Sequence, residues 1–311
     1  MQTAQANRLQ TPSVRWKLSE QCSPWTSVAE RDSQAMPISM RLPSFVFVFC
    51  ATWHLSAAVP GDVVYFRRVQ QATVADLKLY VHEAQELMQE YAFATSVLDK
   101  VAPKHGVTYF HLSYESRDAF GAPVFSTAAV LIPVLPEDEW RRTQKKPTLL
   151  YNHGTVATDE EAPTSSRMCI GIERSQGCSL TTSSVARASL WASIGYHVIL
   201  PDYEKLGLNA SRGFHPYCQQ QSYVRSTEDL LTALASIASL ALSRRLIVAG
   251  YSEGGYASLA IHRGMELANG KGAFTVIASF PQGGPLDWKY QVQHSISTYL
   301  NGENENYWYI P

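Results

Sequence analysis

Downstream of residue 75 the chain switches repeatedly between helical and strand periods. Residues 76–100 place Leu77, Leu79, Tyr80, Ala84, Leu87, Tyr91 and Val97 mostly at helical intervals, which predicts an amphipathic helix. Two strands are expected next, 108–115 and 124–134, joined by Arg117-Asp118-Ala119-Phe120-Gly121. That turn chemistry predicts an antiparallel hairpin. Four short, mostly apolar runs follow at 148–152, 197–200, 245–249 and 274–278, as suits strands buried on both faces of a parallel sheet. Helical segments at 183–194, 222–242 and 254–269 separate them. Strand, helix, strand in that order predicts an α/β fold with a mostly parallel central sheet and helices on both faces. Ligands in such folds gather at the carboxyl ends of the strands. The Ser/Thr/Gly-rich stretch 161–184 reads as a long loop over that edge.

The first 58 residues follow another pattern. Residues 1–39 are polar, mixed in charge and without a sustained period, which predicts disorder. Residues 40–58 open on Met40-Arg41, run through Phe45-Val46-Phe47-Val48-Phe49 and end on the small residues Ser56 and Ala58. That is the order of parts in a secretory signal peptide. A signal anchor and a buried strand are the alternatives, although the run is short for a spanning helix and is broken by Thr52 and His54. Signal peptides stand at the start of a chain. The expectation is therefore translation from Met40, with 1–39 an over-extended reading frame, and secretion of a domain that begins at residue 59. A secreted chain permits one internal disulfide among Cys169, Cys178 and Cys218, and glycosylation of the sequon Asn209-Ala210-Ser211.

Composition narrows the function classes. Hydrophobic residues make up 45% of the chain and charged residues 17%, enough apolar surface for a sizeable core. With 26 basic residues against 27 acidic ones and no long block of one sign, nothing tracks a phosphate backbone, so nucleic acid is not an expected partner. The five cysteines form no CxxC pair and no zinc-site spacing, and no GxGxxG follows a strand. Neither a metal nor another cofactor is expected.

The strongest chemical signal lies where the run 245–249 meets Gly250-Tyr251-Ser252-Glu253-Gly254-Gly255. This is G-x-S-x-G in a strand-turn-helix setting, the nucleophile elbow. Gly250 and Gly254 are needed because side chains there would collide across the tight turn. Ser252 is the candidate nucleophile, and the amide of Glu253 is the first candidate oxyanion donor. The second donor in such sites comes from an earlier loop. Here Leu149-Leu150-Tyr151-Asn152 runs into His153-Gly154-Thr155-Val156. Gly154 lets the backbone approach the substrate, the Thr155 amide is the candidate donor, and His153 is expected to brace the loop rather than act as the base.

These segments resemble α/β-hydrolases of the secretory lipase (fungal lipase A-like) family. The match is carried by 114–118 with Gly121 and Pro123, Leu131-Ile132-Pro133, Asn152-His153-Gly154-Thr155, Pro201-Asp202-Tyr203-Glu204 with Leu206-Gly207, His215-Pro216-Tyr217 and the elbow. It runs in the family's order from about residue 108 to 290. The resemblance implies an α/β-hydrolase fold, a secreted serine hydrolase acting on esters or lipids, transient contact with a lipid or membrane interface, and Ser252 as nucleophile. It implies nothing about oligomeric state.

In that fold the triad acid and histidine follow the serine, on loops after later strands. Downstream of Ser252 the acids are Glu253, Glu266, Asp287, Glu303 and Glu305, and the histidines are His262 and His294. His262 falls about three turns along the helix that leaves the elbow, and no strand pattern separates Asp287 from His294. The expectation is a hydrolase domain, 59–311, that stops before its last strands, with Ser252 left a weak nucleophile. A serine peptidase on the same fold and an inert binder of lipid or protein are the competing functions.

Overall fold

The computed structural model describes residues 59–90, 102–143, 145–156, 158–166, 183–208 and 213–302. The expected disordered stretch 1–39, the expected signal segment 40–58, residues 91–100 of the first predicted helix, Cys169, Cys178, the glycosylation sequon and residues 303–311 lie outside them. Elements run in the order β1 (Val63–Ala72), α1 (Val74–Glu90), β2 (Gly106–Arg117), β3 (Pro123–Val134), α2 (Glu137–Thr143), β4 (Thr148–Asn152) and α3 (Ser184–Ser193). They continue as β5 (Val198–Pro201), α4 (Gln220–Ser236), β6 (Arg245–Tyr251), α5 (Glu253–Leu267), β7 (Thr275–Gln282) and α6 (Trp288–Leu300).

The seven strands form one sheet in the order β1-β2-β3-β5-β4-β6-β7. β5, β4, β6 and β7 pair in parallel. β1, β2 and β3 form an antiparallel flank that joins β5 through β3. In that last pairing Ala128 lies opposite Pro201 and Leu131 opposite Val198. The β2–β3 turn and the carboxyl ends of the parallel strands therefore share one edge of the sheet.

Alternating side chains divide the core into two layers, as the period of a strand requires. Leu112, Val130, Leu150, Ile199 and Val248 pack on one face beneath Leu230 and Leu234 of α4 and Ala257 and Ile261 of α5. Tyr109, Leu131, Leu149, Val198 and Leu200 pack on the other beneath Val185, Ala188 and Ala192 of α3 and Leu77 and Tyr80 of α1. β5 is buried at all four positions, which is why its sequence is an unbroken apolar run.

Helices α2 and α6 were not expected, and β7 runs on to Gln282; for β1 and α4 the departure from expectation has a physical reason. β1 gave no signal because its middle, Phe66-Arg67-Arg68-Val69-Gln70-Gln71, is polar and largely exposed at the sheet edge. α4 stops at Ser236 rather than 242, because a single 3₁₀ turn follows and Ala241 enters the left-handed region at φ 45°. Among the described residues no helix is long and apolar enough to cross a membrane.

Candidate active site

β6 delivers the chain to the carboxyl edge of the sheet and α5 carries it away, with Ser252 alone between them. Ser252 has φ 57° and ψ −123°, a region that costs a non-glycine residue about 1–3 kcal/mol and persists only where its surroundings impose it. The surroundings are specific. The Ser252 amide donates to the Gln282 carbonyl on β7 (2.9 Å), while the Ser252 carbonyl accepts from the amides of Gly255 (2.9 Å) and Tyr256 (3.2 Å). A Cβ at Gly250 would sit 2.7 Å from the Asn152 carbonyl oxygen, and one at Gly254 2.6 Å from that of His153. Both approaches are closer than any side chain permits, so the turn and the end of β4 can meet only through glycine. Ser252 is partly exposed, whereas Glu253 and Gly254 are buried.

The loop after β4 lies directly against this turn. A Cβ on Gly154 would be 3.7 Å from Ser252 Cβ and 3.3 Å from the Tyr251 carbonyl oxygen. His153 is 1% exposed and its ring stacks on Tyr203 with centroids 4.1 Å apart. Its Nδ1 faces the Gly154 carbonyl at 2.7 Å and its Nε2 the Asp202 carbonyl at 3.4 Å. Burial holds its pKa below the ordinary histidine value, so the neutral ring spans the loop and the end of β5. Thr155 stands exposed at the rim, where its hydroxyl pairs with the Tyr217 hydroxyl at 2.9 Å. The structure thus brings together all seven sequence-predicted residues: Ser252, Glu253, Gly250, Gly254, His153, Gly154 and Thr155.

Sequence reasoning gave no role to the network beneath the turn. Glu253 is 1% exposed, and its Oε1 accepts a hydrogen bond from the Tyr223 hydroxyl (2.7 Å) and meets His215 Nε2 at 2.6 Å. His215 Nδ1 donates to the Glu204 carbonyl at 2.8 Å. A proton therefore lies on the His215–Glu253 line whichever atom holds it, since the other ring nitrogen's proton is already given to Glu204. Burial, with the charge of Glu253 added, pushes the hydroxyl of Tyr223 up and the Cys218 thiol to about 12. Among the described residues Cys218 has no disulfide partner, and a raised pKa disfavours its thiolate. The Tyr203 ring packs between those of His153 and His215, and its hydroxyl donates to the His153 carbonyl at 2.8 Å. Positive φ at Tyr203 (69°), Lys205 (70°) and Cys218 (53°) marks how tightly this loop is folded.

Asp202, at the end of β5, is fully buried. Its carboxylate accepts from the hydroxyls of Thr127 and Thr164 and from the Thr164 amide at 2.8 Å, which pins the segment after β4 to the sheet. Burial raises its pKa to about 6, opposed by those hydrogen bonds. The pair Asp202-Tyr203 and the run His215-Pro216-Tyr217 were visible in the sequence as family-like segments. Their positions against the elbow were the missing signal.

Among the described residues, His262, Asp287 and His294 are engaged away from Ser252, and Glu303 and Glu305 lie outside those residues. His262 Nδ1 bonds the Ser279 hydroxyl on β7 at 2.9 Å. Asp287 caps α6 by accepting from the Tyr290 amide at 3.0 Å. His294 is exposed on α6 and stacks on Tyr290. Among the described residues nothing hydrogen-bonds the Ser252 hydroxyl, and no group of His, Cys, Asp and Glu is placed to hold a metal ion.

A strained serine between β6 and α5, at the carboxyl edge of a mixed sheet of this order, makes this an α/β-hydrolase fold. Solved structures agree. The chain is similar to a proposed hydrolase from Legionella pneumophila (20% identity, TM-score 0.58), with 75% of this chain and 55% of that one covered. It is also similar to the rice cell wall degrading esterase LipA from Xanthomonas oryzae (22% identity, TM-score 0.56), covering 79% of this chain and 55% of that one. The chain spans about half the length of these structures, and at such identities what is shared is the fold. No protein-family model and no curated protein matches the sequence.

Proposed function

We propose that the chain carries the nucleophile and oxyanion side of a serine carboxylic-ester hydrolase of the lipase or esterase type. Ser252 Oγ bonds to the ester carbonyl carbon as its proton passes to a base, and the carbonyl electron pair moves onto oxygen. Collapse of that intermediate breaks the bond to the alcohol, which leaves with the proton, and water then cleaves the acyl group from Ser252. The amides of Glu253 and Thr155 receive the negative oxygen. The Glu253 amide suits this because it is the first of helix α5, where an amide has no partner within the helix. Gly250 and Gly254 permit the turn, and His153 and Gly154 hold the loop that carries Thr155.

The observation that carries this reading is the strained backbone of Ser252, held between Gly250 and Gly254 against the end of β4. The base is left unassigned. The substrate is an ester or lipid. Secretion through the segment 40–58 and transient contact with a lipid surface belong to the same proposal. A second reading, an inert binder on the same fold, is favoured by the bare hydroxyl of Ser252 among the described residues.

Treating the full-length protein with a fluorophosphonate probe separates the two. An adduct on the Ser252 peptide that is lost in Ser252→Ala, together with hydrolysis of a short p-nitrophenyl ester, supports the hydrolase. A folded protein that takes no label overturns it in favour of the binder.

A further inference from the structure

We infer that His215-Pro216-Tyr217 is a positioning element that sets the spacing of the two oxyanion donors, an inference that rests on the hydrolase reading above. One side chain of this short segment holds each donor residue. The His215 ring meets the Glu253 carboxylate at 2.6 Å, and the Tyr217 hydroxyl meets the Thr155 hydroxyl at 2.9 Å. Glu253 and Thr155 belong to different elements, α5 and the loop after β4. No hydrogen bond between them is present among the described residues, and apart from this segment their separation is set at the backbone, through the packing of Gly154 and Gly254 and the Asn152–Ser258–Gly254 hydrogen bonds.

The segment is itself fixed on three sides. His215 Nδ1 donates to the Glu204 carbonyl, and Glu204 is buried with its own carboxylate accepting from the Ala119 amide (2.9 Å) and the Ser222 hydroxyl (2.7 Å). The Tyr217 amide donates to the His215 carbonyl at 2.8 Å and the Gln219 amide to that of Pro216 at 3.1 Å. The Cys218 amide donates to the Tyr223 hydroxyl at 3.0 Å, and that hydroxyl in turn donates to Glu253. The fixed φ of Pro216 removes one backbone rotation between His215 and Tyr217, whose ring centroids lie 6.3 Å apart. Displacing an oxyanion donor by a fraction of an ångström weakens a bond that matters only once charge has developed. Neither His215 nor Tyr217 is assigned contact with the reacting atoms. Their effect passes through Glu253 and Thr155.

The test uses the full chain and separates probe binding from bond formation at Ser252 in the fluorophosphonate reaction. Tyr217→Phe keeps the ring and removes the bond to Thr155, and Thr155→Val removes the same bond while keeping the amide. Each is expected to lower the bond-forming rate by about 10-fold, with probe affinity and melting temperature nearly unchanged. The double variant should be no slower than Tyr217→Phe alone, since the bond between the two hydroxyls is lost in all three and Tyr217→Phe also gives up the contact of its hydroxyl with Cys218. Unchanged rates, or effects that multiply in the double variant, overturn the inference.

Should the wild-type protein take no label, the hydrolase reading fails and the bridge is judged by hydrogen exchange instead. Faster exchange in peptides covering 153–156 for Tyr217→Phe, and in those covering 252–255 for His215→Ala, supports the bridge. Unchanged exchange overturns it.

Discussion

The carbonyl oxygen of Asn152, the last residue of β4, occupies the space a Cβ at Gly254 would need. The side chain of Asn152 reinforces the contact, donating to the Ser258 hydroxyl at 3.0 Å while that hydroxyl donates to the Gly254 carbonyl at 2.7 Å. β4 and the first turn of α5 are thereby locked in register, and with them the loop 153–155 and Ser252. Gly254→Ala is expected to force them apart. Overpacking of this kind costs about 3 kcal/mol, and urea denaturation should register it together with loss of any labelling at Ser252. A variant as stable as the wild type would mean that the loop yields without cost.

Strain at Ser252 gives a prediction of opposite sign. At φ 57° and ψ −123° a glycine would be unstrained, while the unfolded chain would gain some freedom. The first effect is the larger, so Ser252→Gly is expected to stabilise the protein by about 1 kcal/mol while abolishing reaction with the fluorophosphonate. A rise in melting temperature of a few degrees is the measurement. A fall would show that the serine is at ease there and that the turn stores nothing for function.

The α/β class, the elbow and the loop at His153 were legible in the sequence because each rests on a local rule. Apolar runs such as Val198-Ile199-Leu200 report burial on both faces, and glycines flanking a serine report a turn that tolerates no side chain. β1 was not legible, because an edge strand with Arg67, Arg68 and Gln71 exposed and Gln70 half-buried carries no apolar alternation. The support beneath the elbow was not legible for a different reason. Glu253 stands 38 residues from His215 and 30 from Tyr223 in sequence, and only the fold of the loop after β5 brings them to within hydrogen-bonding distance. Glu253 entered the sequence reading through its amide alone. Nothing local announces that a charged side chain beside the nucleophile points inward.

That inward carboxylate sets a pair of contrasting outcomes. Glu253→Ala leaves the Tyr223 hydroxyl without its acceptor and His215 Nε2 facing an empty space, both in a buried setting. Removing one partner of a buried pair costs about 3 kcal/mol. Glu253→Gln keeps an oxygen that can accept from either group, and is expected to cost about 1 kcal/mol. Chemical denaturation of the two variants at neutral pH checks the order. Equal losses would indicate that the space, rather than the hydrogen bonds, is what Glu253 supplies.

His197 predicts how stability responds to acid. It lies just before β5, is 2% exposed, packs edge-on against Trp140 with ring centroids 5.4 Å apart, and its buried Nε2 has no partner among the described residues. Burial lowers its pKa from 6.5 to about 4. The unfolded chain therefore takes up a proton near pH 6.5 that the native protein refuses until about pH 4. Native stability must fall as pH drops through that window, by on the order of 3 kcal/mol in total for this one group. His111 is shifted the same way, to about 4, by burial and the nearby Arg67. Asp202, raised to about 6 by burial, acts in the opposite sense. Its native carboxyl holds a proton after the unfolded one has lost it, so its share of stability falls as pH rises from about 4 to 6. The raw pH profile mixes these signs, and a difference measurement isolates one of them. Urea midpoints for the wild type and His197→Leu between pH 7.5 and 4 should yield a stability difference that shifts in favour of the variant as the solution is acidified. About 2 kcal/mol of that shift should accumulate between pH 7 and 5. A difference that stays flat across the range would mean that His197 takes up its proton as readily in the native protein as in the unfolded chain, and that a partner or water reaches Nε2.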